Sequence, residues 1–259
     1  KNNNDATAIF INQLTPTKAR RCVSNIVYAD TFEGLRTDDQ ALVIRKLFDE
    51  YECDYLVLDT NGIGLGVFDA LARDISDPDT GEIYPAISCI NDKTMAERCT
   101  VYGAEKVIWS VKASAQFSSD CAFLLREAFR SGRIRLLSSE YEAKKYLGEI
   151  KGYSSLSQED QYKLLLPYIH TTLLIDELTK LQHEESGGKV KISEKSGMRK
   201  DRYSSLSYNY YVATQIESKM NKRNNSNIKN TDIFVIKPPN YKRKAVSRIN
   251  GSTNHSGWY

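Results

Sequence analysis

Residues 55–66 read YLVLDTNGIGLG, and the fold turns on them. Residues 55–58 are a short apolar run rich in strand formers, and Asp59 closes it. Gly62, Gly64 and Gly66 then let the backbone turn tightly before residues 67–73 begin to read as a helix. In an open α/β sheet, ligands collect outside the carboxyl ends of the strands, so a carboxylate at that point lies on the sheet's working edge. Asp59 is the expected centre of a site. Strand, glycines and helix in this order also serve dinucleotide loops. That fingerprint is G-x-G-x-x-G, whereas these glycines alternate as G-x-G-x-G, and Asp59 would bring negative charge to the pyrophosphate. No acid closing a second parallel strand follows at the right distance, because Asp77 and Asp79 fall in the turn sequence DPDTG. A cation suits the carboxylate better than a phosphate.

Upstream, residues 6–13 (ATAIFINQ) and 22–32 read as strands, the second with Val23, Ile26 and Tyr28 among its apolar positions. Thr37-Asp38-Asp39-Gln40 has the form of a capping box, and Ala41, Ile44, Leu47, Phe48 and Tyr51 recur at helical spacing behind it. Two strands, a helix and a strand suit a mixed sheet with an antiparallel edge, an α/β fold. Downstream, residues 77–81 form a hairpin-like turn leading to a strand over 86–90, and VIWSV (107–111) is a further strand. Residues 114–131 form an amphipathic helix stopped by Gly132, with Phe117, Cys121, Leu124, Leu125, Ala128 and Phe129 on one side. A short extended piece ends at Leu136-Leu137. Residues 158–185 read as mostly helical around Pro167, and 189–192 as a short strand or hairpin arm. The last helix runs to about Met220 with Asp201 in its first turn, where the helix dipole favours an acid in any case.

A chain of 259 residues can bury a full core. Its five cysteines (Cys22, Cys53, Cys89, Cys99, Cys121) show no C-x-x-C spacing and read as free thiols of a reducing compartment. No apolar run is long enough for a membrane span, and KNNNDATA has no signal-peptide character, so a soluble intracellular protein is expected. From Lys219 onward nine basic residues face Asp232 alone, a balance of +8 that leaves the rest of the chain at −5 within a total of +3. The expected division is a folded domain over 1–220 and a basic, low-complexity tail over 221–259, read as a polyanion contact or simply a solvated end.

Four separated blocks carry a resemblance: LVLDTNGIGLGVFD (56–69), VKASAQFSSDCAFLLREAFRSG (111–132), PYIHTTLLIDEL (167–178) and SGMRKDRYSSLSYNYY (196–211). Together, and in this order, they resemble the nuclease domain of the large terminase subunit of tailed phages, from about residue 4 to about 220. The resemblance implies a ribonuclease-H-like mixed sheet flanked by helices, with a small hairpin insertion. It implies an endonuclease that cuts concatemeric viral DNA during packaging, holding Mg2+ or Mn2+ (two ions) on a cluster of acids. Asp59 and Asp201 match two of those acids and are the expected catalytic and metal-binding residues. The remaining acid belongs on a strand ahead of the segment matching KNNNDATA. Either that strand lies upstream, which is preferred, or Asp5 partly stands in. No G-x-x-x-x-G-K-[ST] loop occurs, and Gly187-Gly188-Lys189-Val190 lacks both spacing and hydroxyl, so the ATPase half of such a motor is not in this chain. Double-stranded DNA, the terminase small subunit and the portal protein are the implied partners, in the cytoplasm of the infected bacterial host.

Phosphodiester hydrolysis needs an activated water, stabilisation of phosphoryl charge and help for the leaving alkoxide, which two hard divalent ions on carboxylates can supply. Lys112, Arg199, Lys200 and Arg202 are the candidate phosphate contacts, their alternative being solvated surface charge. Backbone-dominated binding carries little sequence choice and falls steeply with salt. His170, His183 and His255 are too dispersed for a metal triad. Tyr203, Tyr208, Tyr210 and Tyr211 read as packing, and Ser204-Ser205 has no neighbouring base. Two alternatives stand beside the terminase reading. One is a nuclease of the same fold, a junction resolvase or transposase core, marked by a preference for branched DNA. The other is a non-catalytic docking module of the packaging motor, marked by the lack of metal binding.

Overall fold

The computed structural model describes residues 6–17, 21–194 and 199–226, apart from the side chains of 186 and 222–226. In chain order, β1 (Ala6–Pro16) and β2 (Cys22–Glu33) lead to α1 (Thr37–Glu50), β3 (Leu56–Asp59) and α2 (Ile63–Leu71). The short β4 (Ile75–Ser76) and β5 (Ile83–Tyr84) follow, then β6 (Ile87–Cys89), the helical turn α3 (Lys93–Ala96) and β7 (Glu105–Val111). The chain continues through α4 (Ala115–Arg130), β8 (Ile134–Arg135), α5 (Glu140–Glu149), a 3-10 turn (Tyr153–Ser155) and α6 (Gln158–Lys180). It closes on the hairpin β9 (Gln182–Ser186) and β10 (Lys189–Ser193) and on α7 (Asp201–Ser226). This is a mixed α/β architecture that includes a parallel sheet. Among the described residues no helix is long and apolar enough to cross a membrane.

Two three-stranded sheets organise the molecule. In one, β1 and β2 pair antiparallel from Ala6↔Glu33 to Pro16↔Cys22, with a bulge at Ile11/Asn12, and β8 adds parallel to β2. In the other, β3, β7 and β6 are all parallel in the order β3-β7-β6. β1 and β3 each occupy a sheet edge, and no ladder joins them among the described residues. They nevertheless share cover on both faces. On one face Ile9, Leu56 and Leu58 pack with Ala41 and Ile44 of α1 and with Val67, Phe68 and Leu71 of α2. On the other, Phe10, Ile26 and Ala29 pack with Leu125, Leu174, Leu206 and Tyr210 from α4, α6 and α7. The strand alternation separates the two cores, because Ile9 and its neighbour Phe10 point to opposite faces.

α7 runs alongside β1. Asn12 donates to Asn209 Oδ1 (2.9 Å), and Asn209 donates to the Phe10 carbonyl (3.1 Å). Glu217 accepts the Cys22 N–H (2.7 Å) and pairs with the Arg133 guanidinium at the start of β8. Lys219 lies over the Trp109 ring of β7, 4.3 Å from its centroid. One helix is thus fastened to both sheets.

Several sequence expectations are corrected here. The capping box at Thr37–Gln40 does not form: Arg36 precedes the helix with no side-chain cap. Gln40 instead donates to the Leu35 carbonyl (2.9 Å) and accepts the Thr7 hydroxyl (3.0 Å), docking α1 on β1. A complete capping box forms at Ser139 and Glu142, opening α5, where the sequence reading assigned no element. α6 stops at Lys180 rather than continuing to 185, because Gln182–Ser186 pairs with β10 across Gly187-Gly188. Both glycines have positive φ (57° and 76°), as a tight two-residue hairpin requires. α7 runs through the expected boundary at 220 to Ser226, and the rest of the basic tail lies outside the described residues.

Glu217→Ala would leave the half-buried Arg133 guanidinium and the Cys22 N–H without their shared acceptor. The expected loss is about 2 kcal/mol of stability, read as a fall of about 4–8 °C in thermal midpoint. Glu217→Gln, which still accepts the N–H, is expected to lose less.

Candidate active site

The turn after β3 is fixed from three directions. The Thr60 N–H donates to the Val111 carbonyl (3.0 Å), continuing the β3–β7 ladder one residue past its end. The Thr60 hydroxyl also donates to that carbonyl (3.2 Å) and, having only one proton, accepts from Ser110 Oγ (2.7 Å). Asn91 completes the support, donating to the Ser110 carbonyl and accepting the Ser110 N–H, each at 2.8 Å.

Each glycine in G-x-G-x-G has a separate structural cause. Gly62 precedes α2 with φ 55°, a conformation that Gly adopts without steric cost. At Gly64 a Cβ would lie 1.7 Å from the Asp59 carbonyl oxygen, so the first turn of α2 reaches the strand end only because no side chain is there. At Gly66 a Cβ would come 3.1 Å from the Thr37 methyl, where α1 and α2 meet. All three are accounted for without a bound phosphate.

This turn presents Asp59. Leu56 and Leu58 face the α1–α2 core, so Asp59 lies on the rim of the sheet with its carboxyl half-buried. Burial pushes its pKa up, and the hydrogen bond from the Asn61 N–H to Oδ1 (3.0 Å) only partly offsets this. Among the described residues no basic side chain forms an ion pair with it. On the α7 side its charge is felt by the Tyr208 phenol.

Asp201 opens α7 as expected. From Asp201 to Tyr208 is seven residues, about 10 Å of helix rise. Asp201 therefore lies two helical turns along α7 from Tyr208, the α7 residue whose phenol feels the Asp59 charge. Next to Asp201 stands Glu177 of α6, only 6% exposed. Glu177 accepts the Tyr203 N–H (2.7 Å) and pairs with Arg202 (3.5 Å), satisfying a first-turn amide of α7 from another helix. Burial raises its pKa, Tyr203 and Arg202 pull it down, and the Asp201 charge pushes it up again. The sequence reading passed over Glu177. The signal was an acid three residues from Leu174 on a helix face that is otherwise buried.

The four candidate phosphate contacts are all engaged with carboxylates. Lys112 pairs with Asp92 (3.1 Å), Arg199 with Glu33 (2.6 Å) and Lys200 with Glu194 (2.9 Å). These three pairs lie at the surface, where such pairs contribute about 0–1 kcal/mol, and Lys200 also donates to the Ile192 carbonyl (3.2 Å). Arg202 is 19% exposed and ties α7 to α6, a structural position. His170 is a packed helix residue as expected, its Nε2 3.2 Å from Asp30 Oδ1. Asp5 lies outside the described residues.

Among the described residues no three His, Cys, Asp or Glu side chains converge as a metal cage. Asp59 has the character of a ligand for a hard cation: an oxygen donor, partly desolvated, on a fixed backbone. Comparison of the chain with family models, curated proteins and solved structures returns no match.

Gly64→Ala is expected to cost about 3 kcal/mol or more, because the clash is with backbone that cannot swing away. Gly66→Ala should be nearly neutral, its contact with a single methyl offset by a gain in helix propensity of about 1 kcal/mol. Urea denaturation of the two variants beside the wild type measures the contrast.

Proposed function

We propose that this chain is a metal-dependent DNA endonuclease of the ribonuclease-H-like kind, the cutting half of a terminase large subunit. The observation that carries the reading is Asp59: a desolvated carboxylate with no basic partner among the described residues, held on the rim of a parallel sheet by the Gly64 approach and the Thr60–Ser110 support. Holding a half-buried negative charge with no basic partner is unfavourable, and a divalent cation would offset the penalty. The topology also supports the reading, with an antiparallel pair, a helix, parallel strands and a late helix across the sheet face.

In this proposal Asp59 holds the ion and Asp201 supplies a second carboxylate to the site. The bound metal supplies Lewis acidity and an activated water when present. Lys112, Arg199 and Lys200 leave their surface carboxylates to take the DNA backbone. The third acid implied by the terminase resemblance would sit on a strand between the open edges of β1 and β3. The α1 cluster already spans that interval on one face, and α7 lies along β1 and reaches β7 on the other. The basic tail adds a sequence-independent attraction for phosphate.

Asp59→Asn and Asp201→Asn are each expected to abolish Mn2+-dependent nicking of plasmid DNA with the fold retained, and cleavage at the native rate by either variant contradicts the proposal. A stability effect of the opposite sign accompanies the first substitution. The Asp59 pKa is raised in the fold, so its charged form destabilises the native state at neutral pH, and the penalty fades as pH falls through the raised pKa. Asp59→Asn should therefore melt at a higher temperature than the wild type at pH 7, with the difference shrinking in acid. Preferential cutting of branched DNA would move the assignment to a junction resolvase. A lack of Mn2+ binding by a chain that includes the strand carrying the third acid would move it to a docking module.

A further inference from the structure

We propose that Glu177 is a positioning residue of the nuclease site: from α6 it holds the first turn of α7, and so fixes the Asp201 carboxylate where a metal ion can use it. This rests on the nuclease reading and gives a role to a buried acid that the reading leaves unused.

The position follows from what a helix start needs. The first N–H groups of an α-helix have no acceptor within the helix, and a side-chain oxygen from the residue just ahead is the usual remedy. Asp201, Arg202 and Tyr203 open α7, and here the Tyr203 N–H is taken by Glu177 Oε1 of another helix at 2.7 Å. The other carboxylate oxygen faces the Arg202 guanidinium at 3.5 Å. One side chain therefore grips both residues that follow Asp201. Its own place is firm, since Glu177 is 6% exposed, and Leu174 and Leu178 on either side of it in α6 share a core with Tyr203 and Leu206 of α7. Asn209 and Glu217 fasten α7 further along, and the ion pairs of Arg199 and Lys200 ahead of Asp201 lie at the surface. Glu177 is the buried anchor at the Asp201 end.

The chemistry favours positioning over direct ligation. Both oxygens of Glu177 are engaged inside the protein, one by an amide and one by a guanidinium, so it serves an ion through Asp201 without touching it. A carboxylate suits the task better than a neutral acceptor, because it also balances Arg202 and the positive end of the α7 dipole.

Glu177→Ala removes both contacts, Glu177→Gln keeps an acceptor for the Tyr203 N–H, and Glu217→Ala releases α7 at its far end. Mn2+ affinity, thermal melting and the Mn2+ concentration that half-saturates plasmid nicking are measured for each, in a chain that includes the strand carrying the third acid. The expected outcome is Mn2+ binding weakened about tenfold by Glu177→Ala, as when a group that orients a metal ligand is lost. Glu177→Gln should keep most of the affinity, and Glu217→Ala all of it. Native Mn2+ affinity in Glu177→Ala, whatever its melting temperature, makes Glu177 a prop of the fold and overturns the proposal, leaving Asp59 and Asp201 their roles. An equal loss in Glu217→Ala overturns it too, because loosening α7 anywhere then suffices. Should Glu177→Ala not fold, Glu177→Asp, one methylene shorter, is read by the same criteria. If the wild type neither binds Mn2+ nor nicks DNA, the nuclease reading fails first and this role falls with it.

Discussion

α7 is the constraint on which the molecule depends. The two sheets exchange no ladder hydrogen bonds among the described residues, so their relative placement is set by what lies across them. α1 and α2 do this by apolar packing on one face. On the other face α7 uses directed contacts as well: Asn209 to β1, Glu217 to β2 and the start of β8, and Lys219 to Trp109 of β7. Directed contacts fix register where apolar burial does not. This register sets which α7 residues stand opposite the rim of β3.

The rim itself combines stable backbone with an unfavourable charge. Thr60, Ser110 and Asn91 satisfy one another behind the turn, and Gly64 lets α2 close against the strand end. That rigidity holds Asp59 where its carboxyl is poorly solvated. A fold selected for stability alone would place Asn or Ser there. The acid at this poorly solvated position is the strongest physical reason to look for a cation.

The parts of the fold legible in the sequence were those written in local pattern. The Asp59 strand, the glycine turn, the amphipathic helix over 115–130 and the helix opened by Asp201 all emerge near their expected places. What was not legible depended on distant partners. Gln40 looked like a capping residue, yet Thr7 and Leu35 claim its amide. Residues 182–185 carried on the polar pattern of α6, but pairing across Gly187-Gly188 draws them into a hairpin. Glu177 was hidden for the same reason: an acid on a helix gains meaning only when another element is brought against it. Lys112, Arg199, Lys200 and Arg202 were readable as cations, though not as members of ion pairs.

Among the described residues the facing margins of β1 and β3 carry no ladder partner, which has a consequence for recognition. An eleven-residue strand whose outer amides lack a partner in the described ladders is a template on which another chain's strand can grow. The bulge at Ile11/Asn12 adds local twist and breaks the flatness on which such growth relies. A strand-shaped guest, whether another segment of the polypeptide or an added peptide, would be held at that margin by main-chain hydrogen bonds, so its capture would depend on backbone shape more than on side-chain identity.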